Sequence, residues 1–62
     1  MNTYQVQAHF ERARFFHKVE VWDGRARNLG VALRRASREI MERRNVKRLR
    51  HARVTFTIEK IC

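Results

Sequence analysis

The stretch Asn28-Leu29-Gly30-Val31-Ala32-Leu33-Arg34-Arg35-Ala36-Ser37-Arg38-Glu39-Ile40 decides how the rest of this chain must be arranged. Leu29, Ala32, Leu33, Ala36 and Ile40 recur at spacings of three and four, which gathers them on one stripe of an α-helix. Arg34, Arg38 and Arg35 fall on the far side. Asn28 is the natural N-cap, because its short side chain can accept from a free N–H of the first turn. Val31 stands where a capping box would need Glu or Gln, so that reciprocal bond is missing. The pattern carries the helix to about Arg44, roughly 25 Å at 1.5 Å per residue. Asn45 is expected to stop it.

On either side of this helix the period changes from 3.6 to 2. Tyr4, Val6, Ala8 and Phe10 alternate with Gln5, Gln7 and His9, the signature of a half-buried strand. Glu11 to Arg14 reads as a hairpin connection, and Phe15 to Trp22 as a second strand that ends at Asp23-Gly24. Its aliphatic content favours Phe15, His17, Val19 and Val21 as the inner face, with Phe16, Lys18, Glu20 and Trp22 turned outward. After a polar link, Val46 to Arg50, the run from Ala52 to Ile61 alternates Val54, Phe56 and Ile58 with Arg53, Thr55, Thr57 and Glu59. That is a third strand.

The predicted order is therefore ββαβ, a small α+β domain spanning residues 1–62. A right-handed crossover from the second strand to the third leaves the first strand between them. The result is a split β-α-β sheet of three strands, antiparallel around the first, with the helix on one face over Val6, Phe10, Val19, Val21, Val54, Phe56 and Ile58. A chain of 62 residues buries only about 60% of its unfolded surface, so its core is thin and a deep catalytic pocket is hard to build.

The charge is unevenly placed. Fifteen Lys and Arg, twelve of them Arg, face six Asp and Glu, for a net +9. Residues 1–24 and 54–62 each sum to zero, whereas residues 25–53 hold eleven basic groups against only Glu39 and Glu42. Arg35–Glu39 and Arg38–Glu42 have the i,i+4 spacing of weak helical pairs. Arg43 and Arg44 lie near the helix C-terminus, where cations favour the fold. Arg25 and Arg27 lie just before its N-terminus, where a positive charge costs about 0.3–1 kcal/mol. A requirement to meet an anion explains that placement; a stability argument does not.

Arginine-rich helices and flanking loops suit phosphate backbones. A nucleic-acid-binding role, DNA or RNA, is expected through Arg25, Arg27, Arg34, Arg38, Arg48 and Arg50. The alternative is an interaction or inhibitor protein that docks on an acidic partner. Phe16 and Trp22, outward on the second strand and about 20 Å apart, are too distant to hold adjacent bases. They are expected to form a partner or homodimer face.

Other chemistries find little support. His9, His17, His51 and Cys62 match no zinc spacing, and alternation would put His9 and His17 on opposite faces, so no metal or cofactor is expected. Ser37 and the terminal Cys62 lack the base and orienting acid of a nucleophilic site, and Gly24 and Gly30 form no phosphate loop. No catalytic residue or enzyme activity is expected. With one cysteine, no leader-like N-terminus and no long apolar run, a cytoplasmic setting without membrane association is expected.

The run Val19-Glu20-Val21-Trp22, then Ala26, Leu29, Ala32-Leu33 and Ala36, then a closing strand, is similar in outline to many tiny ββαβ proteins. Phage-encoded regulators of host machinery and one class of archaeal ribosomal proteins share it. The likeness rests on generic core positions and implies no binding residue. Several phage inhibitors of that shape are acidic, whereas this chain is strongly basic.

Overall fold

The computed structural model describes residues 1–12, 16–49 and 51–62. Its elements are β1 (Asn2–Arg12), β2 (Phe16–Ala26), α1 (Leu29–Met41), a 3₁₀ turn (Lys47–Leu49) and β3 (Arg53–Lys60). The sheet order is β2-β1-β3, with β1 antiparallel to both neighbours and α1 on one face. The ββαβ reading and the central position of β1 hold.

Alternation along β1 places Tyr4, Val6, Ala8 and Phe10 in the core. In β3, Val54, Phe56 and Ile58 share that face but are only half-buried, because α1 lies chiefly over β1 and β2. From the helix come Ala32, Ala36 and Ile40. Small residues at 32 and 36 let the helix approach the sheet closely.

Strand β2 faces the opposite way from the sequence reading. Trp22 and Ala26 point into the core, at 9% and 0% exposure, while Val19 and Val21 are 39% and 40% exposed. The cause is register. Arg12 pairs with Phe16 across residues 13–15, so even-numbered residues of β2 oppose even-numbered residues of β1: Val6 with Trp22, Ala8 with Glu20. A connection ending at Arg14 would have reversed every side chain of the strand, since a slip of one residue exchanges the two faces. The hairpin connection itself, Ala13, Arg14 and Phe15, lies outside the described residues. His17 is exposed rather than at a core edge, and its ring stacks on His9 with centroids 5.6 Å apart.

The helix starts as expected. Asn28 is extended and its Oδ1 accepts from the Val31 N–H at 2.9 Å. It ends earlier, at Met41, with Glu42 as C-cap. The link that follows is not simply polar, since Val46 and Leu49 turn inward and close the end of the core. Asn28→Ala should cost about 1 kcal/mol and lower the melting midpoint by about 4–8 °C for a domain this size, measurable by circular dichroism.

Candidate nucleic-acid interface

Two acidic groups on the helix side, Glu39 and Glu20, are engaged by the fold itself, while Glu42 is exposed without a partner among the described residues. Trp22 Nε1 donates to Glu39 Oε2 at 2.6 Å, tying β2 to α1. Glu20, with its side chain 12% exposed, accepts from Arg43 at 3.2 Å and has Lys18 Nζ at 3.8 Å. Arg43 also donates to the Val21 carbonyl at 2.9 Å, so this arginine holds the helix end to the sheet. The i,i+4 pairs Arg35–Glu39 and Arg38–Glu42 do not form: Glu39 has turned to Trp22, and Arg35 donates to the Arg25 carbonyl at 3.2 Å. Both bonds reach from α1 to β2 and occupy the two partners of the Arg35–Glu39 pair, which as an exposed helical pair would have been worth little.

What remains is a set of arginines without an acid. Among the described residues every arginine but Arg43 has no carboxylate within 4.0 Å, so Arg12, Arg44 and Arg53 share this with Arg25, Arg27, Arg34, Arg35, Arg38 and Arg48, and only position sets a group of them apart. Arg27, Arg34 and Arg35 line one depression of about 200 Å³, with Val31 and Met1 as its apolar wall. The first turn of α1 carries no acidic residue, so the positive end of the helix adds to the same field. Arg38 is exposed one turn beyond Arg34.

The other expected residues are spread more widely. Arg25 belongs to β2 at odd parity, opposite in sense to Trp22 and Ala26, which places its side chain on the open face of the sheet. Arg48 is exposed in the 3₁₀ turn, past the far end of the helix. Arg50 lies outside the described residues. Arg35, read from sequence as half of an ion pair, is the member that sequence reasoning missed. Its signal was the core position of Trp22, which claims Glu39.

The expected partner face does not exist as drawn. Trp22 is a core residue, and Phe16, on the helix side of β2, is 39% exposed at the start of the strand. The open face instead presents His17, Val19, Val21, Asp23 and Arg25 beside Thr3, Gln5, Gln7 and His9, with Arg53, Thr55, Thr57 and Glu59 beyond. Among the described residues no helix is long and apolar enough to cross a membrane. No protein-family model, curated protein or solved structure matches the chain. The class is therefore defined by fold and surface alone: a small α+β domain with an arginine-lined depression at the start of its helix.

Proposed function

We propose that this protein is a small nucleic-acid-binding module of the cytoplasm, without catalytic activity, that grips phosphates of DNA or RNA from its helix side. Arg27, Arg34 and Arg35 form the grip, Arg38 extends it along the helix, and Arg48 contacts the backbone beyond the far end; Arg25, on the open face of the sheet, stands outside it. The observation that carries this reading is the grouping of three guanidinium groups around one depression while Glu39, the acid nearest to Arg34 and Arg35 in sequence, is bonded to Trp22. Like charges gathered without a counter-ion oppose folding, and an arriving phosphate relieves that repulsion.

The length of the helix suits the task. Thirteen residues span about 20 Å, and one DNA strand presents a phosphate every 3.4 Å or so of axis, about six over that length. Four to six contacts are geometrically reachable. Titration of labelled duplex DNA, single-stranded DNA and RNA between about 50 and 200 mM salt should then give a log–log slope of about −3 to −5. Binding that is undetectable at the lower salt refutes the proposal. An acidic protein partner would be distinguished by its persistence on immobilised protein after nuclease treatment.

A further inference from the structure

The two edges of the sheet are treated differently. In β2 the carbonyls of Val21 and Arg25 point away from β1, and guanidinium groups of Arg43 and Arg35 cap them. Another strand cannot add there without displacing both. The opposite edge, β3, has no such guard among the described residues. Thr3 bonds Ile61 and Cys62 through its backbone, so odd-numbered residues of β3 face β1 and the N–H and C=O groups of Val54, Phe56 and Ile58 point outward. Their side chains are also only half-buried, because α1 lies over the other two strands. An open edge of high β-propensity with an uncharged centre is a site at which chains pair.

We propose that a second copy of this chain covers it, with β3 pairing antiparallel to its own counterpart about a two-fold axis at Phe56. The sequence of β3 is self-complementary in that register. Phe56 meets Phe56, Val54 meets Ile58, Thr55 meets Thr57, and Arg53 meets Glu59 of the partner subunit. A shift by two residues sets Arg53 against Thr57 or Ile61. A shift by one puts outward-pointing backbone groups opposite side chains of the wrong face. In the Phe56 register the three outward residues of each copy exchange about six backbone hydrogen bonds. The sheet becomes six-stranded, both helices lie on the same side, and the exposed flanks of Val54, Phe56 and Ile58 cover one another. The Arg53–Glu59 pairs fall at non-hydrogen-bonded positions, where side chains approach most closely.

Light scattering on nucleic-acid-free protein should give twice the 7.6 kDa chain mass. Amide exchange should slow with concentration at Val54, Phe56 and Ile58, and not at Val19 or Asp23 on the capped edge. Arg53→Glu or Glu59→Arg alone sets like charges opposite each other twice per dimer and should weaken dimerisation about tenfold or more. The double variant Arg53→Glu/Glu59→Arg should restore it. Both positions are exposed, so circular dichroism of the single variants should stay native. A monomer at all concentrations overturns the proposal. So does a dimer whose β3 amides exchange freely, or one that ignores both single reversals.

Discussion

Trp22→Ala is expected to unfold the protein at room temperature. Trp22 is the largest side chain in the core and, among the described residues, the only core side chain that both fills space between β2 and α1 and bonds across it, to Glu39 at 2.6 Å. Truncation of a buried tryptophan costs about 3–5 kcal/mol, and a domain of 62 residues has little more than that to lose. The change also strips Glu39 of its donor. Urea or thermal unfolding followed by circular dichroism reads the effect, and Trp22→Phe, which keeps a ring but drops the N–H, should retain a transition at lower stability. Gly24 supplies an independent check. A Cβ there would collide with the six-membered ring of Trp22, so Gly24→Ala should cost about 1–3 kcal/mol by overpacking. That penalty should shrink in the Trp22→Phe background, because the two side chains compete for the same space. A tryptophan on a partner-binding face would behave otherwise: its removal would leave the melt of the isolated protein unchanged, which is the result that would contradict the inward orientation of β2.

The same residue explains what sequence did and did not disclose. The alternation of β1 could be read directly, because every inward position is apolar and every outward one polar. The helix start was legible for a local reason, since Asn28 needs only its own side chain and the first turn. The sheet order followed from chain-crossing rules. In β2 two criteria competed: Val19 and Val21 are more apolar than Lys18 and Glu20, but Trp22 and Ala26 share parity with the latter pair. Packing resolved the conflict in favour of the ring. Lys18 and Glu20 could be tolerated on the helix side because Arg43 completes a small ion cluster there. The inward turn of Val46 and Leu49 is likewise a tertiary fact, since one apolar residue on each side of Lys47-Arg48 shows no period. Of the arginines, Arg34 could be singled out by lacking an i,i+4 acid, and Arg27 by its place ahead of the helix N-terminus. Arg35 could not, because its apparent partner is taken by a residue seventeen positions away.

The grip itself is tested by Arg27→Ala/Arg34→Ala/Arg35→Ala. Each phosphate contact releases about one counter-ion, so near 0.1 M salt it contributes roughly a factor of ten to affinity. The triple variant should therefore bind polynucleotide about 10²–10³-fold more weakly, and its salt slope should be shallower by about two to three units. These side chains are exposed, so their loss should change stability by no more than about 0.5 kcal/mol. Relief of mutual repulsion offsets the bond that Arg35 makes to the Arg25 carbonyl. Two comparisons separate a grip from bulk charge. Arg12→Ala/Arg44→Ala removes two exposed cations, at or just past the ends of β1 and α1 farthest from the depression, and should leave the slope within a fraction of a unit. Arg43→Ala should lower the melting midpoint through Glu20 and the Val21 carbonyl while the slope stays near that of the native chain. If the remote pair weakens binding as much per charge as the three arginines do, the attraction belongs to the +9 of the whole chain and not to the depression at the start of the helix.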